Sequence, residues 1–195
     1  INGAEDTESD VGVTAFLDDG FRLLGTNGES GQVNVNNGTF VAWNWLSNGG
    51  TTSTNNDGDI ASTVQVNTTA GFSIVTFTAN GSSTDTVGHG LSKQLSMVLI
   101  KSRAAARSWH IGHKNLPFNS ASNSHNGYLS LDSNAANAPD NGGRANIPNA
   151  TTFQGEGTNT HTMVAYCFHE VDGYSKFGKY TGNGDADGTF VYLGF

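Results

Sequence analysis

The sequence predicts an all-β protein, an antiparallel β-sandwich. Three observations carry this. Helix signals are nearly absent, short β-branched and aromatic runs recur along the chain, and Gly, Asn, Asp and Ser bound those runs. Short strands with frequent turn chemistry favour two packed antiparallel sheets.

The elements follow in order. Thr39-Phe40-Val41-Ala42-Trp43-Asn44-Trp45 reads as a strand, and Phe72 to Thr78 alternates large apolar with small polar residues. Further strands are expected over 94–101, 108–113, 127–131, 162–168, 174–180 and 190–195. Asn80-Gly81 and Asn183-Gly184 supply residues that tolerate the positive φ that tight hairpins need. Only Ala104-Ala105-Ala106 hints at a helical turn. Residues 46–70 carry Gly49-Gly50 and Asp57-Gly58-Asp59 with few large apolar residues, and read as a polar linker. The stretches 119–126 and 132–149 are Asn-rich and read as loops.

An internal repeat refines the domain picture. Thr39 to Trp45 resembles Thr162 to Phe168. Gly71-Phe72-Ser73 with Asn80-Gly81 resembles Gly173-Tyr174-Ser175 with Asn183-Gly184. Residues 1–45 then form the back part of a preceding β unit, 71–168 a complete unit, and 169–195 the opening strands of a following one. The end segments are expected to complete the central sheet or to add a strand to a neighbouring chain. The chain begins at Ile1, so a processed product or a piece of a longer chain is expected.

Composition narrows function. The chain has 195 residues with 9 Lys and Arg against 17 Asp and Glu, a formal charge of −8. Charged residues are 13% of the total, about half the usual share. A phosphate-backbone binder needs a basic patch, so nucleic acid is not an expected partner. An anionic membrane surface is excluded on the same ground. No apolar run reaches the ~20 residues of a membrane helix. Cys167 is the only cysteine, which rules out an internal disulfide, and it reads as a buried small side chain.

Gly71 to Thr76, Val87-Gly88-His89-Gly90-Leu91 and Met97 to Lys101 together resemble a LamG-like, concanavalin-like repeat. Ser108-Trp109, Tyr128 to Leu131, Thr162 to Phe168 and Glu170 to Gly184 extend the likeness, as does Phe16-Leu17-Asp18-Asp19-Gly20-Phe21. That repeat occurs in large structural and tail-fibre proteins of marine bacteriophages. The resemblance implies a jelly-roll sandwich on a virion, in a fibre or at the surface, with no defined catalytic residues. Family members are usually longer, with several repeats and an attachment region.

Candidate chemistry is sparse. Asn183, Asp185 and Asp187 place oxygen side chains as in the first half of a calcium loop, with Gly188 following. The acidic residue that closes such a loop is replaced by Gly194, so a polar turn competes with a Ca²⁺ site. Trp43 and Trp45 share one face of a strand and, with Trp109, are either core residues or a sugar-stacking platform. His110 and His113 point to opposite faces, so zinc is not expected. The sequons at Asn37, Asn67, Asn80 and Asn149 are those expected by chance in an Asn- and Thr-rich chain. No nucleophile elbow, phosphate loop or metalloprotease signature occurs, and an enzyme is not expected. The expectation is a non-enzymatic virion structural protein, homo-oligomeric and paired with other virion proteins. The alternatives are a module binding host-surface glycans and an extracellular filament or adhesin subunit.

Overall fold

The computed structural model describes residues 12–24, 33–82, 84–116, 127–135, 145–147, 149–156 and 160–194. Among them there is no helix, and the Ala104 run forms only a bend. The chain divides into two compact units at Trp45/Leu46.

The smaller unit holds one antiparallel hairpin, β1 (Gly12–Leu17) and β2 (Gly20–Leu24). The Asp18-Asp19 turn joins them and sets Leu17 opposite Gly20. Phe40, Val41 and Trp43, also in this unit, are exposed.

The larger unit is an antiparallel sandwich. Its main sheet has seven strands in the order β3 (Ser53–Asn55), β4 (Ser62–Asn67), β5 (Phe72–Thr78), β11 (Thr162–Phe168), β7 (Met97–Ser102), β8 (His110–His113) and β9 (Leu129–Ser130). A second pair, β6 (Thr86–Gly88) and β10 (Thr152–Gln154), forms the other layer. The central ladder runs from Thr162 opposite Thr78 to Phe168 opposite Phe72. The edge strands β3 and β9 are short, which limits pairing along either edge.

Strand alternation places the core. Ser73, Val75 and Phe77 of β5, Met163, Ala165 and Cys167 of β11, and Val98 and Ile100 of β7 face one side and are buried. Val87 and Phe153 close over them from β6 and β10, with the Phe153 ring edge-on to Phe77 at 5.9 Å. Two buried hydroxyls on this side are bonded to backbone. Ser73 Oγ donates to the His89 carbonyl at 2.8 Å, and Ser62 Oγ to the Gly88 carbonyl at 2.9 Å.

Several expectations change here. Residues 46–70 are not a linker, because β3 and β4 lie inside them and β4 pairs with β5 along its whole length. The stretch looks polar since only one face of β4 meets the core, through Val64 and Val66. Residues 145–147 are buried rather than looped out. Gly112 of β8 faces Ala145 so closely that a Cβ there would run into the Ala145 carbonyl oxygen. The predicted strand at 39–45 is extended chain outside any ladder, and 174–180 and 190–194 are likewise without strands. The residues have strand propensity, but the described chain places no strand neighbour beside them, and a strand exists only with its neighbour. The predicted loop 119–126 and Phe195 lie outside the described residues.

Asn67, Asn80 and Asn149 explain three of the four sequons structurally. Each side-chain oxygen accepts from a backbone amide two or three residues on: Ala70 at 2.9 Å, Ser82 at 3.0 Å and Thr151 at 2.8 Å. These are Asx-type turns, in which Asn with nearby Ser or Thr shapes the chain.

Candidate functional site

The features that stand out lie at one end of the large sheet, where β4 passes into β5 and β11 ends. Asn67 opposes Phe72 in that corner, and Phe168 opposes Phe72 from the other side. The Phe168 ring lies 4.9 Å from Phe72. The His169 amide donates to the Gly71 carbonyl at 2.9 Å. Gly71 has φ of 65°, and a Cβ there would crowd the His169 carbonyl. Glycine is therefore required at this corner.

Two segments leave the corner. The first enters it through Leu46 and Ser47. Asn67 Nδ2 donates to the Leu46 carbonyl at 3.1 Å, and Ser47 Oγ donates to the Gln65 carbonyl at 3.1 Å. The second departs through Glu170. Lys114 Nζ sits 2.6 Å from Glu170 Oε1, and the same oxygen accepts from the Phe177 amide at 2.9 Å. These two donors hold the Glu170 carboxyl below its ordinary range. Phe177 packs on Phe168 at 5.9 Å, and Val171 bridges to Ser175. Beyond Phe177 the chain is exposed: Tyr180, Phe190 and Tyr192 show 72%, 87% and 72% of their surface.

The sequence-predicted residues fall as follows. Trp43 is 71% exposed and Trp45 54%, so neither is a core residue. Their run, unlike 162–168, adds no strand to the large sheet. Trp109 is half-buried on the outer face of that sheet, stacked on Tyr166 at 6.2 Å. Asn183, Asp185 and Asp187 share one exposed turn. Asn183 Oδ1 accepts from the Asp185 amide at 3.1 Å, and Asn183 Nδ2 donates to the Asp187 carbonyl at 2.9 Å. The Asn183 side chain is thus engaged by the turn itself, as in an Asx turn. No group of three His, Cys, Asp or Glu side chains could hold a metal ion among the described residues. Cys167 is fully buried, and burial raises its thiol pKa far above the ordinary value. No helix among the described residues is long and apolar enough to cross a membrane.

Sequence reasoning missed the Lys114–Glu170–Phe177 clamp, since Lys114 lies far from the other two in the chain. It also missed Asn67 as an anchor. The repeated Gly71 and Gly173 were the available signal, and both adopt positive φ, 65° and 73°.

These features define an all-β antiparallel sandwich whose 178–194 stretch, beyond the corner at Phe168 and Glu170, is exposed and carries aromatic side chains. The chain belongs to the family described as domain of unknown function DUF7483, which matches residues 2–195. No curated protein matches the chain, and no solved structure does.

Proposed function

We propose that this chain is a non-enzymatic structural protein of a bacteriophage virion, in a tail fibre or surface decoration, that works by assembly and display. The observation that carries the assembly part is the exposed apolar surface of Phe40, Val41, Trp43 and Leu46 and of Tyr180, Phe190 and Tyr192. Large apolar side chains exposed in such runs favour an interaction surface. The phage part rests on the likeness of residues 71–101 and 162–184 to the LamG-like repeat of phage structural proteins. Such a protein is found on a virion or outside the cell, beside copies of itself and other virion proteins.

Immunogold electron microscopy of phage particles with an antibody to this chain tests the reading. Gold along a fibre or on the particle surface supports it. Intact particles that stay unlabelled while the antibody recovers the free protein overturn it.

A second reading, recognition of host-surface glycans, is favoured by one observation. Trp43 and Trp45 are exposed rather than buried, and Asn44 lies between them. Exposed indole faces stack on sugar rings. Titration of tryptophan fluorescence with host polysaccharides tests it: quenching that saturates supports glycan binding, and an unchanged spectrum removes it.

A further inference from the structure

Two segments of this chain are copies of the two central strands. Thr39 to Trp45 follows the pattern of β11, and Gly173-Tyr174-Ser175 with Asn183-Gly184 follows the start and the closing turn of β5. The turns around the second segment support this beyond sequence. Gly173 adopts φ of 73° where Gly71 adopts 65°. Asn80 and Asn183 each accept the amide two residues on, at 3.0 and 3.1 Å, and Gly81 and Gly184 follow with φ of 87° and 77°. The corners on both sides of β5 are therefore rebuilt around 174–180, the second one residue further along, and the Gly173 corner sets the register used below. Strands β5 and β11 pair with each other in the large sheet, while neither copied segment lies in a strand.

We propose that Thr39–Trp45 of one copy of this chain pairs antiparallel with Tyr174–Tyr180 of a second copy, in the register of β11 on β5. This rests on the assembly reading above and names the partner and the contact. Transferring the observed register sets Val41 opposite Gly178, Ala42 opposite Phe177, and Trp43 opposite Lys176, as Val164, Ala165 and Tyr166 stand opposite Thr76, Val75 and Ile74. The chemistry of the pairs fits. A small residue faces Phe177, and Lys176, whose Nζ lies 5.6 Å from the Tyr192 ring centroid in the single chain, exchanges that ring for the Trp43 indole. The Phe177 amide is held by Glu170 in the single chain, as a neighbouring strand's carbonyl would hold it. Each copy offers both halves of the ladder, so two copies satisfy each other in a closed, two-fold arrangement. Pairing covers Phe40, Val41 and Trp43, which are otherwise exposed.

Cysteine cross-linking tests the register. Directly opposite residues in an antiparallel pair lie within disulfide reach. Val41 is 76% exposed, and a Cβ on Gly178 meets open space, so both positions accept cysteine. Cys167 is buried and does not compete. Full-length V41C and G178C are purified separately, mixed and oxidised. The pairing predicts a disulfide-linked dimer from the mixture and little from either variant alone, with the V41C–G178C peptide found by mass spectrometry. A mixture of V41C with K179C, the register that the Asn183 corner would set, should give markedly less.

No dimer from the first mixture, or equal dimer from both mixtures, overturns the pairing. So does a V41C/G178C double variant that closes its disulfide only within one chain. Sedimentation of the wild-type chain separates the two levels. Oligomers without the cross-link reject this contact and leave the assembly reading standing. A monomer at every concentration rejects both.

Discussion

The backbone amide of His169 donates to the carbonyl of Gly71 across 2.9 Å, tying the exit of β11 to the entry of β5. The bond closes the corner from which the exposed 170–194 stretch departs. Its geometry depends on a left-handed residue at Gly71 and on the close approach of the His169 carbonyl.

Gly71→Ala is therefore expected to destabilise more than the matched change at Gly173. Both positions have positive φ, which costs an L-residue about 1 kcal/mol or more. At Gly71 the added Cβ also crowds the His169 carbonyl and Val171, whereas at Gly173 it meets nothing. Urea unfolding of the two variants should place the Gly71 midpoint clearly lower. Equal midpoints would mean that the corner is looser than described.

The sandwich layers are joined through Phe153, which is fully buried against Phe77. Phe153→Ala should cost about 3–5 kcal/mol, as large-to-small changes in packed cores do. Denaturant unfolding with an unchanged m-value is the check.

His89 makes stability depend on pH. Its ring is buried, Nδ1 accepts the Leu91 amide at 3.2 Å, and Nε2 has no hydrogen-bond partner. Burial first, and then the nearby His169, lower its pKa from 6.5 to about 4, while Asp57 acts weakly the other way. The folded protein holds the ring neutral, and the unfolded chain takes up a proton below its ordinary value. Stability is then fully present above pH 6.5 and falls as pH drops from 6.5 towards 4. The loss from this group is up to about 3 kcal/mol. Midpoints measured across that window should fall in the wild type and fall less in His89→Gln. Parallel slopes would assign the dependence to other groups.

The Glu170 clamp makes a local prediction. Glu170→Gln removes the ion pair with Lys114 and weakens the bond to the Phe177 amide. Glu170 is about a third exposed, so global stability should change by no more than about 1 kcal/mol. Amide exchange at Phe177 should nevertheless accelerate, since local opening is set by local bonds. Unchanged exchange would show that the packing of Phe177 on Phe168 holds the segment alone.

Some of this fold was legible in the sequence and some was not. β5 and β11 occupy the predicted spans because each is an unbroken seven-residue run rich in aromatic and β-branched residues, so the pattern stands out without knowledge of neighbours. β3, β4, β6 and β10 escaped notice. They are short or one-sided, and Ser62, Thr152 and Gly88 are buried without the apolar signature of a core. Thr39 to Trp45 failed the other way. Its local preference equals that of β11, but the strand state belongs to a pair of segments. The tryptophans show the same limit, since periodicity places Trp43 and Trp45 on one face without saying what covers that face. The turn at Asn183 read equally as a cation loop or a polar turn, and Asn183 proves to be bonded within the turn.

The central claim is that the exposed aromatic segments are assembly surfaces, and sedimentation of the wild-type chain over a range of concentrations tests it most directly. The account predicts a species at least twice as heavy as the 20.4 kDa chain, with tryptophan emission shifting to the blue as it forms. A lone 20.4 kDa species at every concentration, with the indoles still in water, would contradict it.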